Sequence, residues 1–464
     1  MKKILSIIAF CMSLAATAQE IYICKDGDYT HAPIAEGLSI DLSSQPDSVT
    51  FAEPAIPWVV DIFYGGTTAQ VSMPRFMAEK VTCSSGTSSH VNIVNTDTIH
   101  EVIYNVSGAS SNGSLTIKSD HKMTVNLNGV SLTSTKGEAM RFKCGKRVAL
   151  VMAEGSTNTF ADTNDNGVTN DANDTHKACI YTKGHIELSG AGTLNVTGNY
   201  HHAIATKEYF KVKKTVQALN ILGAVGDGIH TGEYFQMNGG TLTIDANTLG
   251  DGLQVEYKTD SIDDQEVIAS NIENTGGIVI KDGTINITSS ATEDIKCIKA
   301  DGNIDIKGGT LVINATANGS RCIQTDGDVT ISQDSTVLTS LTLTAAGAKC
   351  EVVADAADPH KSCGIKLDGN FTFTGGTAYV YASGKSSNGI RTSGNYTASG
   401  GYVEVRATNT NTNCIKIDGN LLLKSGSTTK AFNTGTKAVG ITYVGSYTKE
   451  DGATLVGSVT QKKD

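Results

Sequence analysis

Short runs of alternating apolar and polar residues, each closed by a glycine turn, fill most of the chain. The clearest unit spans residues 297–316, CIKADGNIDIKGGTLVINAT. Its period-two alternation predicts three strands, and Asp301-Gly302 and Gly308-Gly309 are turn dipeptides that supply φ > 0 positions. Related runs begin at Cys179, Ala203, Gly228, Gly252, Cys322, Gly364, Gly389 and Cys414. The apolar anchor that follows in each is Ile180, Ile204, Ile229, Leu253, Ile298, Ile323, Ile365, Ile390 or Ile415. Successive anchors lie 24, 25, 24, 45, 25, 42, 25 and 25 residues apart, so the two long gaps hold one period plus an insert of about twenty residues.

A repeat of about 25 residues made of three strands and three turns predicts one coil of a parallel β-helix, an all-β solenoid. Stacked coils place equal positions in columns. The residue before each anchor is always Cys, Ala or Gly, as a tight bend between close-packed coils requires. The inward positions of the second strand read Phe210, Phe235, Ile304, Val329, Phe371, Tyr396 and Leu421, an apolar stack. After the first turn come Asn303, Asp328, Asn370, Asn395 and Asn420, a ladder able to hydrogen-bond from coil to coil.

Residues 1–18 have a basic start, an apolar centre and a small-residue cleavage site, Ala16-Thr17-Ala18, the pattern of a secretory signal peptide. No later apolar run is long enough to span a bilayer. Residues 19–57 read as a short N-terminal β module and linker, 58–107 as a β cap over the first coil, and 108–464 as the β-helix. The expected location is outside the cell or in its envelope, as a monomer. The formal charge of −10 becomes −12 when Lys2 and Lys3 leave with the leader, which argues against nucleic acid as a partner. Four of the nine remaining cysteines (Cys179, Cys297, Cys322 and Cys414) fall in the small-residue column and read as buried hydrophobes. Disulfides Cys24–Cys83 and Cys350–Cys363 stay open.

Three groups carry candidate chemistry. The loop after Phe160 begins with Asp162, Asn164, Asn166 and Gly167, alternate hard-oxygen ligands followed by a glycine for a sharp turn, as calcium loops use. Asp227 and Asp251 both stand two residues before an anchor in adjacent coils, with Glu256 nearby, so a calcium ion between them would relieve their repulsion. Alternation turns Tyr379 and Tyr381 outward on one coil and Tyr402, Glu404 and Arg406 outward on the next, a candidate carbohydrate-binding patch in which rings stack on sugars and the charged groups bond hydroxyls or a uronate. Outward Lys299, Lys366, Arg391 and Lys416 form a basic ladder that pairs equally well with nearby aspartates. His201, His202 and His230 read as surface or turn residues, and no catalytic residue is assigned.

The stretches at residues 114–142 and 177–210 carry a further signal. Leu127-Asn128-Gly129-Val130, residues 177–197, His202-Ala203-Ile204 and Asp227-Gly228-Ile229-His230 resemble the secreted bacterial carbohydrate-binding β-helix family. The resemblance covers roughly residues 102–444. It implies a right-handed, polysaccharide-lyase-like parallel β-helix with bound calcium, binding plant-type or acidic polysaccharide without established catalysis. The expectation is therefore a non-catalytic polysaccharide-binding protein. A calcium-dependent polysaccharide lyase and a surface adhesin or scaffold are the alternatives.

Overall fold

The computed structural model describes residues 20–25, 28–33, 48–50, 58–84, 88–163, 176–246, 250–262, 265–269, 274–290, 292–350 and 360–462. Residues 1–18, read as a leader, lie outside them. All nine anchors fall in one column of a 15-stranded sheet, with Ile298 paired to Ile323, Ile323 to Ile365 and Ile365 to Ile390 in parallel register. We call this the anchor sheet. The unit that opened the sequence reading folds as strands Lys296–Ala300, Ile304–Ile306 and Gly309–Ala315, and each pairs with its counterpart one coil on. The fold is a parallel β-helix, with no α-helix among the described residues.

The stack holds because the inward columns are mostly apolar, with buried threonines such as Thr182, Thr206, Thr325 and Thr392 in the column two past the anchors. Phe210 meets Phe235 with ring centroids 5.9 Å apart, and Phe371 meets Tyr396 at 4.9 Å. These side chains are fully buried. Each contributes roughly 1.5–3 kcal/mol of burial relative to exposure. The small-residue column has a direct cause at its glycines. A Cβ on Gly228 would lie 2.5 Å from the Gly252 carbonyl oxygen, and one on Gly252 would lie 2.5 Å from that of Cys297. The column cysteines are buried, and neither candidate disulfide forms.

The amide ladder is also present. Oδ1 of Asn303 accepts the backbone N–H of Asp328 at 2.9 Å, Oδ1 of Asn370 that of Asn395 at 3.0 Å, and Oδ1 of Asn395 that of Asn420 at 2.9 Å. Each side chain thus satisfies a turn amide that the sheets leave unpaired.

At the N-terminal end the short module has three antiparallel strands, with Glu20–Lys25 in the centre. The region read as a cap joins the solenoid itself. Val59–Gly65 pairs in parallel with Val102–Ser110, and the 3₁₀ turn Arg75–Glu79 buries Phe76 and Met77. The 45-residue gap accommodates an added hairpin, Thr259–Ile262 with Gln265–Ile268.

Candidate functional site

Residues one past each anchor point outward from the anchor sheet, and consecutive ones pair in register: Tyr181 with Ala205, Ala205 with His230, His230 with Gln254, and Gln254 with Lys299. Tyr181, Ala205 and His230 floor a cleft of about 640 Å³. One wall is formed by His176, Lys177 and the turn Tyr200-His201-His202, the other by Lys207 and the segment Glu256 to Thr259. Tyr200 stacks on His176 with centroids 4.4 Å apart, which fixes its ring in the wall. The volume suits a ligand of a few sugar rings, and rings beside hydrogen-bonding groups are what such a ligand needs.

The floor is electrostatically built. Oδ2 of Asp227 accepts a hydrogen bond from Nδ1 of His230 at 2.8 Å, and Nε2 of His230 lies 3.5 Å from Glu256. Burial works to lower the His230 pKa, but these two carboxylates outweigh it and push it up to about 9. One rung away, Nδ1 of His202 accepts the backbone N–H of Asp227 at 2.8 Å, so that nitrogen carries no proton. Burial pushes the His202 pKa down to about 3. A neutral and a charged imidazole thus stack 4.6 Å apart across adjacent coils. The residues that the sequence reading left as turn histidines are the centre of the cleft.

Among the described residues, His202, Asp227 and His230 are the one group of three or more His, Cys, Asp and Glu whose ligand atoms lie within 4.8 Å of each other. The donor set does not suit calcium. Oδ1 of Asp227 is taken by the Asp251 N–H at 2.6 Å, and Oδ1 of Asp251 by the Lys296 N–H at 2.9 Å. Their remaining oxygens face His230 and, at 3.7 Å, Lys299. Calcium takes six to eight oxygens, whereas these neighbours are imidazoles and an ammonium. The repulsion between the two stacked carboxylates is met by hydrogen bonds along the column. Asp162 is fully buried, ion-paired to His176 at 2.8 Å and bonded to the Asn199 N–H at 2.5 Å. Asn164 and Asn166 lie outside the described residues.

The tyrosine patch lies on another face, made by the third strand of each coil. Its register is as counted from the turns: Tyr379 pairs with Glu404 and Tyr381 with Arg406. The side chains differ from the expectation. Glu404 is 6% exposed, accepts a short hydrogen bond from the Tyr402 hydroxyl, and is bonded by Nε of Arg406 at 2.6 Å. Its oxygens are spent within the protein, because a carboxylate packed between two rungs of side chains must be paired there. The three tyrosines are half-buried, with Tyr379 tilted against Tyr402 at 5.8 Å.

Fold and cleft together describe a β-solenoid with a ligand-sized site on one sheet face. A family model described as carbohydrate-binding domain-containing protein matches residues 87–432, and the chain belongs to that family. A curated relative, a carbohydrate-binding domain-containing protein of Acetivibrio thermocellus, is 26% identical over 112 residues, which is 24% of this chain and 39% of the relative. The chain therefore matches well under half of that relative's length. A solved structure of the polysaccharide lyase-like protein from C. thermocellum, in a gadolinium derivative, aligns with TM-score 0.47 and 20% identity over 59% of this chain and 96% of the other. No described helix is long and apolar enough to cross a membrane.

Proposed function

We propose that this protein is a non-catalytic polysaccharide-binding protein that works outside the cell or at its envelope as a monomer, and that the anchor-sheet cleft is where the sugar lies. The observation that carries this is the cleft itself, with Tyr200 and Tyr257 in opposite walls over the charged floor of His230. Tyrosine rings stack on the apolar faces of sugars while the floor and rim supply hydrogen bonds. Lys177, Lys207 and Lys258 on the rim, with the His230 cation below, favour acidic sugars. Calcium belongs to this reading as a stabilising ion, supported by the loop that starts at Asp162 and by the family resemblance.

A second reading, β-elimination on an acidic polysaccharide, is favoured by one observation. His201, whose pKa burial lowers, presents a neutral imidazole at the rim near the His230 cation. A neutral base and a cation facing a uronate carboxylate are what that reaction uses. Affinity electrophoresis in gels of acidic and neutral polysaccharides tests the first reading. Wild type should be retarded and Tyr200→Ala with Tyr257→Ala should run free; equal retardation of both would remove the cleft from the site. Appearance of the ultraviolet absorbance of an unsaturated uronate during incubation would establish the second.

A further inference from the structure

The anchor sheet holds a second depression, beyond the cleft, over the rungs of Ile298, Ile323, Ile365 and Ile390. Its volume is about 210 Å³ and its charged lining is cationic: Lys296, Lys299, Arg321, Lys366 and Arg391, with Lys361 and His360 at the edge. Two columns supply the five. Lys296 pairs in register with Arg321, and Lys366 with Arg391, so like charges stand side by side on successive rungs. Rungs lie about 4.8 Å apart, where unopposed like charges repel.

The described carboxylates do not balance this. Lys296 has Asp294 at 3.1 Å, which also holds His360 at 2.7 Å; Lys299 has Asp251 at 3.7 Å; Lys366 has Asp368 at 3.7 Å. Among the described residues Arg321 bonds neutral partners, the side chain of Gln324 and the carbonyl of Lys361. Nε of Arg391 is buried with no hydrogen-bond partner among the described residues. Among the described residues these five cations thus meet three carboxylates at ion-pair distance, and two guanidinium groups are left over. A buried donor without a partner costs free energy unless a ligand takes it.

We infer that this depression is a subsite for a tetrahedral oxyanion of about two negative charges, such as the phosphate monoester of a glycan or another surface polymer. The donors come from two columns and several rungs around one depression, a spread of N–H groups that three oxygens on one centre can use more fully than a planar carboxylate can. A phosphate monoester carries about −1.5 to −2 at neutral pH, matching the two guanidinium charges left unopposed. This site lies beyond the sugar cleft and stands whether or not the cleft binds sugar.

Calorimetry on the full chain tests it, with inorganic phosphate, inorganic sulfate and galacturonate as separate probes at fixed salt. Saturable phosphate binding is expected, weakened roughly tenfold or more in Arg391→Gln by loss of a charge-assisted hydrogen bond, and unchanged in Tyr257→Ala. Lys366→Gln, at a half-exposed position, should weaken it too and guards against misfolding of the arginine variant. Sulfate binding as tightly as phosphate would keep the tetrahedral site and assign it to sulfate esters. The proposal is overturned if phosphate shows no saturable binding, if both variants bind it like wild type, or if galacturonate binds more tightly than either tetrahedral anion.

Discussion

Nδ1 of His230 donates to Oδ2 of Asp227 across 2.8 Å, and this bond joins two columns within one rung of the cleft floor. With Glu256 on its other nitrogen, His230 has its pKa raised from 6.5 to about 9. A base whose folded pKa is raised lends stability that is whole below its unfolded pKa and is lost as pH climbs through the folded one. His230→Gln should therefore cost about 1–3 kcal/mol near pH 6 and little near pH 10. Asp227 and Glu256, both depressed, lend theirs above their unfolded values and lose it as pH falls. His202, held neutral with a pKa of about 3, adds to the acid loss, because the unfolded chain takes up a proton below about pH 6.5 that the native imidazole refuses. Urea titrations of wild type and His230→Gln across pH check the window; a difference that grows toward high pH would refute the assignment.

The small-residue column should discriminate by volume. Cys322 is fully buried, with its Sγ 3.3 Å from the Thr344 carbonyl oxygen. Cys322→Leu should cost roughly 1–3 kcal/mol by overpacking, and Cys322→Ala less. Gly228→Ala should be as harmful as Cys322→Leu, since its new methyl would meet the Gly252 carbonyl. Denaturation midpoints of the three variants decide this, and a neutral Gly228→Ala would contradict the close approach of coils.

Asn395 sits mid-ladder, accepting the Asn420 N–H and donating Nδ2 to Asn370 Oδ1 at 3.0 Å. Asn395→Ala hands an exposed turn amide to water and should cost about 0.5–1.5 kcal/mol. Hydrogen exchange should show the Asn420 amide losing protection first. An unchanged rate there would mean the side chain does not carry the bond.

Calcium stabilisation and the two stacked aspartates can be separated. If the proposed calcium ion is held by the folded chain alone, added calcium should raise the melting temperature by mass action. Asp227→Asn with Asp251→Asn should keep that rise, because their oxygens are already bonded to backbone amides, His230 and Lys299. Loss of the rise in the double variant would place the ion between them.

The tyrosine face gives a contrasting expectation. Tyr379→Ala, Tyr381→Ala and Tyr402→Ala together free Glu404 of one partner but leave Arg406 on it. The variant should fold, with a modest loss of stability, and should keep polysaccharide binding if the cleft is the site. Lost binding in this folded variant, with the cleft variants unaffected, would move the site to the tyrosines.

Period, register and ladder were readable in the sequence because they are properties of single positions repeated every coil. Asn395 predicts its own bond once its column is known, and Tyr379 finds Glu404 by counting from the turns. The cleft was not readable that way. Its walls come from connecting segments of different lengths, residues 199–202 and 256–259, whose paths no strand alternation fixes. His202 and His230 were discounted because they belong to different columns, one two residues before its anchor and one just after. Only the one-rung offset between those columns brings the rings together, and comparing columns pairwise would have shown it. The burial of Glu404 was hidden for a related reason: alternation says outward, while the flanking Tyr402 and Arg406 fold over it.

A sheet whose rungs repeat about every 4.8 Å is also a ruler. From His230 the outward column passes Gln254 to reach Lys299 at the near edge of the cationic depression, two steps or about 10 Å on, and then Gln324 to reach Lys366, four steps or about 19 Å on. The two places lie on one rigid face and cannot adjust their separation. A polymer that occupied both proposed sites would gain avidity through effective concentration, whereas a shorter fragment would engage one at a time. Valency along the axis, set by how many coils lie between the sites, would then select for chain length as well as for the chemistry of any single sugar.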